Sequence, residues 1–268
     1  MSRNRRRAGV VIGGLVILLA AIAVVAYLAG RSGEPQATPT TSSTAAVTPS
    51  DTPTVAPSTA SSSDAADGLD RGVVAAGRGG KSEGPDGLPL TYDRTQDGAA
   101  AAATNYLIWM NSIKITDKSA ADAMATATAA DDTTRTALVR SFDEIRSGMR
   151  GLTTDELQPA RGAYAVARYS PDSATVYVWA PEVTADASGA SQQTWGIDAV
   201  NVVWARGDWK LNHELIVRSG GAAADPKDPS GNPTSAEKRS ILSRTPEDPG
   251  EIQDSAEQSW LEYANAPH

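Results

Sequence analysis

The chain has 268 residues, 40% of them hydrophobic, with 24 Lys and Arg against 32 Asp and Glu, and no cysteine. A net charge of −8 offers no electrostatic footprint for a phosphate backbone, so direct nucleic-acid binding is not expected. The lack of cysteine excludes disulfides, thiolate nucleophiles and cysteine-based metal sites.

Residues 1–7 form a basic tail carrying Arg3, Arg5, Arg6 and Arg7. Ala8 to Gly30 then reads AGVVIGGLVILLAAIAVVAYLAG, 23 residues without a charge. At about 1.5 Å per residue such a helix crosses a ~30 Å hydrocarbon core with some tilt. The rival reading is a secretory signal peptide, whose apolar run is shorter and ends at a small-x-small cleavage site that is not evident here. Four arginines before the span, with only Arg31 following closely, keep the N-terminus cytoplasmic by the positive-inside rule. The expectation is a single-pass signal-anchor with residues 8–30 in the lipid bilayer and the bulk of the chain extracytoplasmic.

Residues 31–88 read as a stalk, built from Ser, Thr, Pro and Ala and then Gly, that cannot bury enough surface to offset its ordering entropy. Within it, Ala75 to Ser82 (AAGRGGKS) fits a loose phosphate-loop pattern. A working loop follows a buried strand and opens a helix, whereas Glu83-Gly84-Pro85-Asp86-Gly87 would break any helix at its first turn, so the match is rejected.

The folded domain is expected over residues 89–220. Thr95 is a candidate N-cap for a first helix reaching about Lys114, with Ala99, Ala102, Tyr106, Met110 and Ile113 at helical spacing. A second helix is predicted over Lys118 to Ala129. A third, capped by Asp131 or Asp132, carries the stripe Leu138, Val139, Phe142, Ile145 and Met149 before Gly151. After Gln158 the period changes to two, and strands are predicted over Arg161–Tyr169, Ala174–Thr184, Gln193–Arg206 and Trp209–Arg218. Turn sequences at Ser170-Pro171-Asp172 and Arg206-Gly207-Asp208 make antiparallel neighbours. The expected fold class is α+β, three helices packed on a curved four-stranded antiparallel sheet. Residues 221–268 read as a Pro- and Asp-rich tail with two short helices, Ser235–Arg244 and Glu251–Ala264, more loosely attached than the domain.

The phrase Val202-Val203-Trp204-Ala205-Arg206-Gly207-Asp208-Trp209-Lys210-Leu211, after three helices, resembles the nuclear-transport-factor-2-like (cystatin-like) roll. That resemblance implies a bent sheet under helices enclosing a conical cavity. The helix phrase from Thr95 to Leu107, joined to an anchor and a Ser/Thr/Pro stalk, resembles uncharacterised actinobacterial membrane proteins of integrative and conjugative elements. Those are similar in architecture to scaffold subunits of type IV secretion and conjugation machines. The second likeness is associational, and it does not reach the tail.

For chemistry the chain offers two histidines, His213 and the terminal His268. Alternation sets His213 with Leu211, Leu215 and Val217 as the inward set, where a role with Asp198 or Tyr177 is weighed against a hydrogen-bonded core histidine, the favoured reading. Asp198 points away from Trp195 and Ile197 and is read as a solvated outer-face carboxylate. Trp179, Trp195, Trp204 and Trp209 are assigned to core or interface rather than to a ligand platform. No His pair at helical spacing, nucleophile elbow or metal-spaced cluster stands in the sequence, so no catalytic, cofactor-binding or metal residue is assigned and no cofactor is expected. The reading is a non-enzymatic scaffold that associates with itself or with other envelope subunits. The alternative is an anchored small-ligand-binding or hydrolytic domain.

Overall fold

The computed structural model describes residues 68–212, the backbone of 217–220, and residues 226, 228, 231–246, 252 and 254–267. The expected membrane segment 8–30, most of the stalk and His213 lie outside the described residues. Among the described residues no helix is long and apolar enough to cross a membrane.

Two long strands, β6 (Ser173–Asp186) and β7 (Ser191–Ala205), pair antiparallel in unbroken register from Ser173 opposite Val203 to Ala185 opposite Ser191. Each is longer than its neighbours and carries two shorter strands end to end along its outer edge. Beside β6 lie β4 (Leu152–Leu157) and β5 (Ala163–Ser170); beside β7 lie β8 (Asp208–Leu211) and β9 (Val217–Gly220). The gap between β4 and β5 falls at Pro181, whose carbonyl accepts from Gln158 N–H at 2.9 Å. A proline has no N–H to leave unpaired in that gap. Gly162 sits in the same gap, where a Cβ would meet the Trp179 carbonyl oxygen at 1.7 Å.

On one face of the sheet pack α1 (Gln96–Met110), α2 (Lys118–Thr128) and α3 (Asp132–Gly148). Their N-caps are local: Thr95 accepts from Gly98 N–H at 3.0 Å, Asp117 from Ser119 N–H at 2.8 Å, and Asp131 from Thr134 N–H at 2.7 Å. In α1, Ala99 to Ala103 are all buried, so the helix has no solvent face there and small side chains let it lie close to the strands. Tyr106, Leu107, Trp109, Leu138, Phe142, Val178 and Val200 fill the space between helices and sheet.

The opposite face carries Ala163, Ala165, Tyr177, Trp179, Trp195, Ile197 and Ala199, and the chain's end covers it. This covering segment begins with α4 (Ser235–Leu242), contributes Ile241, Leu242, Ile252 and Trp260, and ends in β10 (Leu261–Glu262). β10 lies between β5, antiparallel, and β1 (Asp70–Arg71), parallel. A separate two-stranded hairpin pairs β2 (Ser82–Glu83) with β3 (Pro89–Leu90).

The expectation of three helices on a four-stranded antiparallel sheet is overturned. The sheet has eight strands, is mixed because β1 runs parallel to β10, and is covered on both sides, with four α-helices among the described residues. Three of the additional strands carried no local signal. LTTDEL in β4 lacks an alternating apolar face, and β1 and β10 are two residues each and exist only through pairing across the length of the domain. The predicted strand from Trp209 to Arg218 is broken into β8 and β9. The tail is corrected as well: the helix expected over Glu251–Ala264 is a 3-10 turn at Ser255–Glu257 followed by β10, with Trp260 and Tyr263 buried. Residues 68–88, within the span read as stalk, contribute β1, β2 and a 3-10 turn to the described structure.

The phrase Gly207-Asp208-Trp209-Lys210 acts as a clamp. Buried Asp208 accepts backbone N–H bonds from Thr91 at 3.0 Å, Tyr92 at 2.8 Å and its neighbour Trp209 at 2.9 Å, and pairs with Lys210 at 2.9 Å. Lys210 Nζ also donates to the Ala127 carbonyl at 2.8 Å, and Trp209 Nε1 to the Asp93 carbonyl at 2.9 Å. One β-turn thus ties the segment before α1 and the end of α2 to the sheet. Asp208→Ala leaves a buried ammonium without its counter-charge and buried backbone donors without an acceptor. Urea denaturation of the full chain in detergent is expected to show a loss of about 3–5 kcal/mol; a loss below about 1 kcal/mol would contradict the clamp.

Candidate functional site

Strand alternation sorts the candidate residues onto the two faces. On β7, Trp195, Ile197 and Ala199 belong to the tail-covered core and Val200 and Val202 to the helix-covered core, so Asp198 lies on the helix side. Tyr177 lies on the tail side, where its hydroxyl donates to Asp254 Oδ1 at 2.8 Å. The sheet therefore separates Asp198 from Tyr177, and the pairing of His213 with either of them, weighed from the sequence, falls on a residue outside the described ones. The face opposite Trp195 and Ile197 is also not an open outer face, because the helices cover it and Asp198 is half-buried.

Trp179 and Trp195 are fully buried under the tail with ring centroids 4.4 Å apart. Trp204 and Trp209 meet edge to face at 5.5 Å on the other side, with the Arg94 guanidinium 5.4 Å from the Trp204 ring. All four serve as packing.

The phosphate-loop lookalike is occupied by the protein itself. Gly77 N–H donates to Asn105 Oδ1 at 2.8 Å, Asn105 Nδ2 donates to the Arg78 carbonyl at 2.7 Å, and Lys81 pairs with Asp93. No helix follows, as the sequence implied; β2 and a 3-10 turn at Pro85–Gly87 stand there.

What the sequence did not single out is a group of carboxylates on the helix side. Asp155 on β4 and Glu182 on β6 share that face with Leu157 and Ala180. In register, Leu157 stands opposite Glu182 and Asp155 opposite Thr184, which makes the two acids diagonal neighbours. Their side chains are hydrogen-bonded to each other, while Asp155 Oδ1 and Glu182 Oε1 are buried with no hydrogen-bond partner among the described residues. Burial, then the charge of Asp155 and the hydrogen bond to it, then Asp198, push the Glu182 carboxyl up to about 9. Burial raises Asp155 as well, but the bond from Glu182 opposes that shift. With its carboxyl pushed up to about 9, Glu182 is the member of the pair that keeps its proton at neutral pH, donated toward Asp155. The one local signal for it was an acid inside an apolar strand, next to Pro181.

A carboxyl pair sharing a proton is competent for acid–base exchange. It does not form a metal site: no three potential ligands converge closely enough to hold an ion among the described residues. An open groove of ≈690 Å³ lies at the other end of the sheet, lined in part by Arg168, Ser173, Thr175, Asn201, Val203 and Asn212. Thr175 donates to Asn201 at 2.6 Å there. This lining mixes hydroxyl, amide, guanidinium and apolar groups and sits beside Tyr177 and Ala199 on the face opposite the helices, so the acids do not reach it.

The pair gives a signed pH dependence. Glu182 titrates near 4.3 when unfolded and at about 9 when folded, so its contribution is fully present below the lower value and is lost as pH rises through the higher one. Thermal unfolding of the wild type should show stability falling across that window at up to ~1.4 kcal/mol per pH unit from this group. Glu182→Gln, which keeps a donor toward Asp155 but does not titrate, should flatten the slope. Parallel wild-type and variant curves would refute the shared proton.

Neither the curated proteins nor the solved structures give a significant match to this chain. Residues 29–231 match the model of a protein family described as a domain of unknown function, DUF8175. Because that match spans more than half of the chain, the protein belongs to the DUF8175 family.

Proposed function

We propose that this protein is a non-enzymatic, single-pass scaffold subunit of a cell-envelope assembly, of the conjugative-transfer, type IV secretion-like class. Residues 8–30 hold it in the bilayer with the N-terminus cytoplasmic, and the extracytoplasmic domain works by associating with itself or with neighbouring subunits. The observation that carries this reading is that side chains are packed against both faces of the sheet. Tyr106, Trp109 and Phe142 fill the helix side, and Trp179, Trp195 and Trp260 fill the tail side. Such a body offers surfaces and edges, and its reach is set by the segment that precedes it. The uncharged run at 8–30 supports the membrane placement by its length and by the arginines ahead of it.

A second reading, an anchored ligand-binding or hydrolytic domain, is favoured only by the Asp155–Glu182 pair. It requires a path from solvent to Glu182.

Fractionation of cells making the full-length chain should place it with membranes and release it only with detergent. Cross-linking in the native host should recover covalent self-oligomers or another envelope protein. Full-length protein in the soluble fraction, or cross-linking that yields neither product, would refute the scaffold reading.

A further inference from the structure

The cover over the tail-side face has three properties that set it apart from the domain beneath. It is held together internally: Lys238 Nζ on α4 pairs with Glu262 Oε1 on β10 at 2.7 Å, with the lysine side chain 2% exposed, and Trp260 Nε1 donates to the Ser255 carbonyl at 2.8 Å. It lies beyond the family domain, because the family match ends at residue 231 and α4 begins at Ser235. And the sheet face it covers lies inside that domain, with Tyr177, Trp179, Trp195 and Ile197 all buried beneath Ile241, Leu242, Ile252 and Trp260. The residues between β9 and α4, GAAADPKDPSGNPT over 221–234, could span roughly 45–50 Å fully extended. That is enough to reach a neighbouring molecule.

The attachments between this cover and its own domain run along its length, from Leu69–Ser235 through Tyr177–Asp254 and Thr104–Tyr263 to Ala76–Asn265, and any second copy would repeat them identically. Ser235 Oγ donates to the Leu69 carbonyl at 3.0 Å, Arg161 Nε to Asn232 Oδ1 at 2.9 Å, and Ala264 N–H to the Val74 carbonyl at 2.7 Å. β10 itself is a two-residue strand between β1 and β5.

We infer that the sheet face bearing Tyr177, Trp179, Trp195 and Ile197 is an exchangeable docking surface, closed by residues 235–267 of its own chain or by the same segment of a second copy. The inference rests on the self-association reading above and names its contact. Exchange conserves these hydrogen bonds and apolar contacts while converting a closed monomer into a reciprocal dimer, the low-cost route open to any segment docked through a long connector. It also links neighbouring stalks at the sheet edge, since the exchanged β10 would pair with β1 of the other chain.

The chain's lack of cysteine makes the test direct. Asp70 and Leu261 are register partners in the parallel β1–β10 pair, close enough for cysteines placed there to be bridged. Two full-length chains with different tags, one Asp70→Cys and the other Leu261→Cys, are co-expressed, and their membranes are oxidised. Exchange predicts a reducible mixed dimer carrying both tags and exceeding either homodimer. The double variant in one chain reports the closed form as an intrachain bridge. No mixed dimer, when the double variant closes its intrachain bridge, overturns exchange; failure of the double variant to form any bridge removes the β1–β10 contact and the inference with it. Co-purification of differently tagged wild-type chains separates the two ideas. Co-purification without the mixed disulfide overturns exchange and leaves self-association standing, whereas no co-purification and no mixed disulfide removes both.

Discussion

The long β6–β7 pairing is the constraint from which the architecture follows. Two strands of this length, in one register from Ser173 to Ala185, present edges longer than a typical strand can fill. Each edge is therefore lined by two short strands in series, and each junction has to be tolerated chemically. On the β6 side Pro181 and Gly162 do this, one by lacking a donor and the other by lacking a side chain where the Trp179 carbonyl approaches. The doubled edges widen the sheet enough that helices alone cannot close it. Its second face, rich in tryptophan, needs a cover of its own.

That cover comes from the end of the chain, and it changes the meaning of the residues around it. Segments that read as a spacer and a loose tail meet at β1 and β10, so the first described residues are also the point where the last ones are fastened. The ion pair between Lys238 and Glu262 is nearly dry and ties α4 to β10. The clamp around Asp208 does similar work on the helix side. A turn whose wording resembles a known roll is used here to hold the entry to α1 and the end of α2 in place.

The acid pair is the chemically unusual feature of this body. Asp155 and Glu182 come from strands joined edge to edge, and their closeness depends on the register of β4 against β6. A buried pair of this kind stores a pH response in the fold whether or not a substrate ever reaches it. The separation of Asp198 from Tyr177 by the sheet, and the distance of the acids from the open groove, are consequences of strand parity. Neither is decided by the residue types themselves.

Local order was legible residue by residue. Thr95 and Asp131 stand one residue before helices because a short polar side chain followed by a helical apolar stripe satisfies the first free N–H groups, and α1 and α3 begin where those signals put them; Asp117 caps α2 in the same way without having been singled out. The alternation of β5, β6 and β7 was legible for the same reason: burial of one face leaves its period in the sequence. What the tertiary structure alone decided are the features made by residues far apart in the chain. These are the strands β1, β4 and β10, the covering of the second sheet face, and the meeting of Asp155 with Glu182. A strand of two residues, or an acid beside its neighbour's acid, has no periodicity to read, since its stability comes wholly from a partner that the fold brings to it.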